Sequence, residues 1–158
     1  MASELKDLSI FSNKNLSDIS TRKFVIVVSQ WNSQVTERLY NGAYSTLLNA
    51  GAREENIIRK EVPGSFELSL GAQYAAQWED VDAVICLGCL IKGETPHFDY
   101  IAQAVAHGIT QVGLKYNKPV TFGVLTTLTL EQALERAGGK YGNKGDEAAI
   151  AAIKMLNF

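Results

Sequence analysis

The sequence AVICLGCLIKGETPHFDY, residues 83–100, joins an apolar run to a short polar loop. The run Ala83–Ile91 has the length and composition of a strand that is buried on both faces. The loop after it carries an acid, a threonine and a histidine, and from Phe98 onwards apolar residues recur at helical spacing. A strand end of this kind is where α/β proteins place their chemistry, and the free N–H groups of the following helix can hold an anion. The stretch therefore predicts an enzyme.

On both sides of this stretch, strand and helix patterns alternate along the chain. The predicted strands cover residues 24–28, 57–62, 83–91 and 120–125, and the predicted helices cover about 35–50, 65–77, 97–115, 129–137 and 146–156. Ser65 is expected to cap the second helix, Thr129 opens a capping box, and residues 138–145 read as a flexible glycine-rich loop. This alternation predicts a four-stranded parallel sheet with helices on both faces and right-handed crossovers.

Composition limits the classes of partner. The 158 residues carry 15 basic and 17 acidic side chains, a formal charge of -2, so no field attracts nucleic acid or an anionic membrane. No apolar run reaches the roughly 20 residues of a membrane helix. Residues 1–22 show no periodicity, which predicts an N-terminal arm, and residues 23–158 are predicted to form a single domain. The expected location is cytoplasmic.

Cys86 and Cys89 have the C-x-x-C spacing of some redox pairs. Both lie inside the predicted strand, where residues three apart point to opposite faces. The small apolar character of cysteine therefore explains them better than a redox function does.

Polar and aromatic residues that a sheet core does not need follow three successive strands. They are Trp31 and Asn32 after the first, Ser65, Phe66 and Glu67 after the second, and Glu94, Thr95 and His97 after the third. If these strand ends share a cleft, the Trp31 ring can stack on a flat ligand and Glu67 can accept hydrogen bonds from it. The set suits a polar heteroaromatic ligand.

Each of these residues also has a simpler interpretation. Trp31 is compatible with packing over the first helix, and Glu67 with a favourable charge in the first turn of the second. His97 is compatible with a solvated histidine, although its place in a strand-end loop favours proton transfer. His107 lies ten residues further along the helix, off the direction of His97, so no metal site is expected.

Gly93, Glu94 and Thr95 at a helix start could bind phosphate through backbone N–H groups. One helix terminus rarely suffices for a dianion, and Arg136 and Lys144 are the natural additional charges. The alternative is that Arg136 only favours the C-terminus of its helix.

Three blocks of the chain resemble the 6,7-dimethyl-8-ribityllumazine synthase family of riboflavin biosynthesis. They are VPGSFEL at 62–68, GCLIKGETPHFDYI at 88–101 and PVTFGVLTTLTLEQALERAG at 119–138, and NKGDEAA at 143–149 also fits. The resemblance runs without gaps from about residue 23 to the last residue. It implies a three-layer flavodoxin-like α/β sandwich.

The resemblance also implies the reaction and its requirements. The family are transferases that condense 5-amino-6-(D-ribitylamino)uracil with (3S)-3,4-dihydroxy-2-butanone 4-phosphate, and they use neither a metal nor an organic cofactor. By resemblance, His97 transfers protons, and Glu94, Thr95, Arg136 and Lys144 bind the butanone phosphate. The residues that the resemblance assigns to the ribitylaminouracil are Trp31, Ser65, Phe66, Glu67, Cys89, Leu90, Ile91 and Phe122.

Members of the family are homo-pentamers, or shells built from pentamers, with active sites between subunits. The resemblance therefore implies that Phe122 and Arg136 come from a neighbouring subunit, and riboflavin synthase is a candidate partner. Two departures are small: Leu128 stands where many relatives have a polar residue, and Pro96 fills a variable position.

Two alternatives remain open at this point. A non-catalytic flavin-binding module of the same fold would bind without turnover, but Ser29 to Ser33 lacks the glycines of the usual phosphate loop. A shell-forming structural protein would assemble without activity.

Overall fold

The computed structural model describes residues 18–158, and its centre is a parallel sheet of four strands in the order β2-β1-β3-β4. The strands are β1 Phe24–Ser29, β2 Ile57–Val62, β3 Ala83–Ile91 and β4 Val120–Thr127. The helices are α1 Ser33–Asn49, α2 Leu68–Ala76, α3 His97–Tyr116, α4 Leu130–Leu134 and α5 Lys144–Met155. A separate antiparallel pair consists of β5 Ala137–Gly139 and β6 Gly142–Asn143. The predicted four-stranded parallel α/β fold is confirmed.

Two apolar cores lie on the two faces of the sheet. Alternate residues of β1 enter each core: Phe24 and Ile26 belong to the one formed with α1, α4 and α5, and Val25 and Val27 to the one formed with α2 and α3. All six residues of β1 are buried, because this strand is central and both of its faces are covered. Three layers result, as predicted.

Cys86 and Cys89 lie in different cores, which confirms that their side chains point to opposite faces of β3. Burial raises the pKa of the Cys86 thiol to about 12 and that of the Cys89 thiol to about 11. Neither thiol is therefore a reactive thiolate near neutral pH.

The start of α2 differs from the prediction. The expected cap by Ser65 is wrong, because α2 begins at Leu68 with Glu67 as its N-cap residue. Gly64 caps the turn before it, where the Glu67 carboxylate accepts the Gly64 N–H at 2.9 Å. Ser65–Glu67 form a 3-10 turn ahead of the helix, and the Ser65 side chain is buried. The Ser65 hydroxyl has no hydrogen-bond partner among the described residues.

The predicted flexible loop at 138–145 is also wrong. Positive φ angles at Gly138 and Gly142, 98° and 75°, allow a tight β5–β6 hairpin. Asn143 then caps α5 by accepting the Gly145 N–H at 2.8 Å, so this helix begins at Lys144. The hairpin also ends α4 at Leu134 rather than near 137, although the predicted capping at Thr129 is confirmed.

Residues 1–17 of the predicted arm lie outside the described residues. Of the remainder, Ile19 is buried in the core, and Asp82 accepts hydrogen bonds from Arg22 at 2.8 Å and from the Lys23 N–H at 2.7 Å. The boundary between arm and domain stays a prediction. No helix within residues 18–158 is both long and apolar enough to cross a membrane.

Candidate active site

A cleft of about 410 Å³ opens where β1 and β3 end, beside the turn between β2 and α2. Because parallel strands end at the same edge of a sheet, segments far apart in sequence meet there. Seven of the predicted site residues line the cleft: Trp31, Ser65, Phe66, Cys89, Leu90, Ile91 and His97.

Trp31 stands in the short turn between β1 and α1. Its backbone N–H donates to the Pro63 carbonyl at 3.2 Å, and the Gln30 N–H donates to the Val62 carbonyl at 2.9 Å, so the turn is tied to the end of β2. The side chain is 72% exposed. Within one chain the Trp31 ring therefore does not pack over α1, and it is available to a ligand.

The turn ahead of α2 supplies a second wall of the cleft. Phe66 is 56% exposed and presents another aromatic ring, while the buried Ser65 hydroxyl lies beside the cleft without a partner among the described residues. An unpaired buried hydroxyl favours a ligand that can complete its hydrogen bonding. Glu67 lies instead at a neighbouring groove, with its carboxylate on the Gly64 N–H.

The end of β3 forms the back of the cleft. The ladder between β1 and β3 ends with the pair Val28 and Leu87, so the later residues of β3 have no partner from β1. Cys89, Leu90 and Ile91 meet the cleft there. Such a strand end offers backbone donors and acceptors, which suit the polar edge of a flat ring.

His97 is the first residue of α3 and is exposed at the mouth of the cleft. Glu94 and Thr95 lie exposed in the loop before it. The start of α3 carries unpaired N–H groups and the positive end of the helix dipole, which favour an anion. Lys92 adds a positive charge, although its ammonium also lies 3.9 Å from the Asp99 carboxylate.

Phe122, Arg136 and Lys144 are not among the residues that line the cleft of one chain. Phe122 is partly exposed on the edge strand β4. The Arg136 guanidinium lies 4.6 Å from the centre of the Tyr141 ring and donates to the Gln132 carbonyl. Lys144 is bound to Glu147 within α5, with 17% of its side chain exposed.

Four further residues belong to the cleft or its mouth but were given no role of their own from the sequence. Asn32, Gly64 and Ile101 line the cleft, and Lys92 lies at the start of the loop after β3. Ile101 is part of the apolar stripe of α3 and therefore resembles a core residue in the sequence. Asn32 follows a strand directly, and that position was its one signal. No three metal-binding side chains cluster within residues 18–158.

The chain is similar to known proteins over nearly its whole length. A family model described as 6,7-dimethyl-8-ribityllumazine synthase matches residues 21–158. A protein of that name from Cytophaga hutchinsonii is 61% identical over 156 residues, which cover 99% of this chain and 98% of the relative. Those from Parabacteroides distasonis and Aquifex aeolicus are 51% and 52% identical, covering 100% and 86% of this chain and 99% and 88% of theirs.

Proposed function

The chain belongs to the 6,7-dimethyl-8-ribityllumazine synthase family, and we propose that the cleft between Trp31 and His97 is where it carries out the family's reaction. The reaction condenses 5-amino-6-(D-ribitylamino)uracil with (3S)-3,4-dihydroxy-2-butanone 4-phosphate and releases one phosphate and two molecules of water. It is the penultimate step of riboflavin biosynthesis. The observation that carries the proposal is the convergence of seven predicted residues on one cleft.

The uracil occupies the part of the cleft between the aromatic side chains and β3. Trp31 stacks on the pyrimidine, and the end of β3, from Cys89 to Ile91, meets its polar edge with the backbone groups of Ile91. The ribityl chain extends towards Ser65 and Phe66, where the unpaired buried hydroxyl gains a partner. Exposure of the Trp31 ring and the open end of the β1–β3 ladder support this placement.

Glu67 is proposed to contact the far end of the ribityl chain. Its carboxylate already accepts the Gly64 N–H, and this bond leaves further lone pairs for a sugar hydroxyl. In one chain Glu67 faces the groove beside Pro63, so the ribityl chain must pass the turn at Gly64 to reach it.

The butanone phosphate binds next to His97, at the start of α3. Backbone N–H groups near Glu94 and Thr95 receive the phosphate, and Arg136 from a second copy adds a positive charge. Lys144 can bind the phosphate in the same way only if its ammonium leaves the ion pair that it forms with Glu147.

The proposed chemistry begins when the 5-amino group of the uracil attacks the ketone carbon, and loss of water gives an imine. Phosphate then leaves by elimination, and tautomerisation gives a ketone. The ribitylamino nitrogen attacks this carbonyl, and loss of a second water closes the ring. Each step moves a proton, and His97 is placed to donate and accept it. Holding both reactants in one orientation supplies a large share of the acceleration, because both are already reactive.

We further propose that the chain works as a homo-oligomer, either a single pentamer or an assembly of pentamers. Its proposed location is the cytoplasm, and riboflavin synthase is a candidate partner. The placement of Phe122 and Arg136 away from the cleft of their own chain supports a site that is completed by a neighbour. Exposed apolar side chains on α2 and α3, such as Leu70, Tyr74 and Leu114, support a buried contact.

The test is to mix the purified protein with both substrates and follow formation of 6,7-dimethyl-8-ribityllumazine by absorbance, against a reaction without protein. Product must form well above the uncatalysed rate, and Trp31→Ala must raise the KM for the uracil. A purely flavin-binding or shell-forming protein is not favoured, since the relatives are named as synthases over the full chain. Binding of the substrates without acceleration of the reaction would instead support the flavin-binding or shell-forming alternative.

A further inference from the structure

Asn32 has a backbone conformation that is unusual for its position. Its φ and ψ of 59° and 44° lie in the left-handed region, which among residues 18–158 only one other non-glycine residue, Asn117, shares. Asn117 ends α3, where that conformation is common. Asn32 instead stands at the start of α1, where an extended backbone is usual.

The side chain of Asn32 does not serve the helix that it precedes. An asparagine at this position ordinarily accepts an N–H from the first turn, but Asn32 makes no such bond. Its Nδ2 instead donates to the Cys89 carbonyl of β3 at 2.9 Å, 57 residues away in sequence. The left-handed backbone and the absent cap together direct the amide to another strand.

The Cys89 carbonyl lies beyond the last residue pair of the β1–β3 ladder, Val28 and Leu87. The Asn32 amide therefore continues the connection between these strands after backbone pairing has ended. On the other side, the Trp31 N–H donates to the Pro63 carbonyl after β2. The turn that carries the Trp31 ring is thus tied to both neighbouring strands.

The bond from Asn32 also determines which backbone groups at the back of the cleft are available to a ligand. In a strand, the N–H and C=O groups of every second residue point to the same side. The backbone groups of Ile91 therefore lie on the same side of β3 as the Cys89 carbonyl, which is the side that faces the cleft. Because Asn32 binds the Cys89 carbonyl, the next backbone groups available to a ligand are those of Ile91. Asn32 itself need not contact the ligand.

We propose that Asn32 is a positioning residue, which fixes the Trp31 ring relative to the end of β3 so that the uracil can stack and meet the backbone at once. The inference rests on the proposed function. It assigns Asn32 an effect on binding of the uracil, and none on the butanone phosphate, whose proposed site is at the start of α3.

Three substitutions separate the effect of the left-handed backbone of Asn32 from that of its side-chain hydrogen bond to Cys89. Asn32→Asp keeps the shape and tolerates the left-handed backbone but cannot donate to the Cys89 carbonyl, and Asn32→Gly keeps the backbone without any side chain. Asn32→Ala loses both. Asn117→Asp, at the other left-handed asparagine, is the matched control.

The expected result is that Asn32→Asp and Asn32→Gly raise the KM for the uracil about tenfold or more, because misplaced contacts weaken a bound geometry. The KM for the butanone phosphate stays within about twofold, and Asn117→Asp leaves both constants unchanged. If Asn32→Gly has the wild-type KM for the uracil, the amide bond is irrelevant and the inference is overturned.

A second measurement does not depend on turnover. The chain has two tryptophans, so in a Trp78→Phe background the fluorescence anisotropy of the free protein reports the motion of Trp31 alone. Lower anisotropy in Asn32→Asp or Asn32→Gly supports the positioning role even if the wild type makes no product, in which case only the proposed reaction fails. Anisotropy equal to that of the wild type in both variants overturns the inference.

Discussion

His97 is the side chain of the cleft best suited to move protons, because one nitrogen of an imidazole ring can donate a proton while the other accepts one. The cleft also contains the Cys89 thiol, but burial raises its pKa to about 11, so it stays protonated. The Ser65 hydroxyl does not ionise near neutral pH. The proposed proton transfers therefore depend on one residue.

His97→Ala is expected to lower kcat by about 10²-fold, near the lower end of the usual contribution of general acid–base catalysis. Activity remains above the uncatalysed rate because the cleft still orients both reactants. Steady-state kinetics of product formation measure this. His107→Ala is the matched control, since His107 is also exposed on α3 but does not line the cleft. Equal losses in both variants would contradict a special role for His97.

Arg136→Ala is expected to raise the KM for the butanone phosphate about 10- to 100-fold, the usual effect of losing a hydrogen bond between charged groups. The KM for the uracil should change little. Arg53→Ala is the control, because Arg53 precedes β2 and lies at the opposite edge of the sheet. An unchanged KM for the butanone phosphate in Arg136→Ala would remove this residue from the site.

For individual residues, the sequence predicted which side chains belong to the site but not the hydrogen bonds and ion pairs that they form. Trp31, Ser65 and His97 were predicted because they follow strand ends, and all three line the cleft. The Asn32 amide could not be placed, because its partner Cys89 is 57 residues away and nothing local marks the bond. The pairing of Lys144 with Glu147 was likewise missed, although the two are only three residues apart.

The close contact of α1 and α5 depends on a glycine. A β-carbon at Gly145 would lie 2.0 Å from the Leu39 carbonyl oxygen, a backbone atom that cannot move aside without shifting the helix. Gly145→Ala is therefore expected to lower the free energy of unfolding by about 1–3 kcal/mol, the usual cost of overfilling a core.

Urea denaturation at fixed protein concentration measures this loss. Gly93→Ala is the control for stability, since a β-carbon there meets no atom within 4 Å, and a change of less than about 0.5 kcal/mol is expected. Equal stability of Gly145→Ala and the wild type would show that α1 and α5 are further apart than described.

An ion pair between α1 and β2 predicts a dependence of stability on pH. The hydrogen bond from Arg59 lowers the pKa of Glu37 below its ordinary value of 4.5. Burial opposes this shift, and the charge of Arg59 adds a smaller lowering. A group with a lowered pKa in the folded state contributes stability above its unfolded pKa. This contribution is lost as the pH falls through the folded pKa.

Glu37→Gln is expected to be less stable than the wild type by about 0.2–1 kcal/mol at pH 7, a modest value because the pair is partly exposed. The difference should shrink as the pH falls below 4.5, the ordinary pKa of this group. Denaturation from pH 7 to pH 3 measures it, with the exposed Glu55→Gln as control. A difference that stays constant over this range would contradict the assignment.

The order and type of the main strands and helices were predictable, because each carries a clear apolar period. The starts of α2 and α5 were not, since both depend on contacts between neighbouring turns: the Glu67 carboxylate on the Gly64 N–H, and Asn143 on the Gly145 N–H. The β5–β6 hairpin was read as flexible because glycines permit a tight turn as readily as a mobile loop.

The whole molecule has apolar side chains that its own fold leaves exposed. Tyr74 and Leu114 are 58% and 72% exposed, and a groove of about 380 Å³ runs beside Pro63 and Trp78. Together with the position of Arg136 outside the cleft of its own chain, these surfaces support the proposal that two copies complete each active site.

The most direct test of that account is co-expression of His97→Ala and Arg136→Ala chains, each impaired alone, followed by assay of the mixed oligomer at low butanone phosphate. If each site takes His97 from one copy and Arg136 from its neighbour, random mixing in a ring leaves about a quarter of the sites intact. The account predicts that product formation returns to about a quarter of the wild-type rate. A rate no higher than the average of the two separate variants would contradict it.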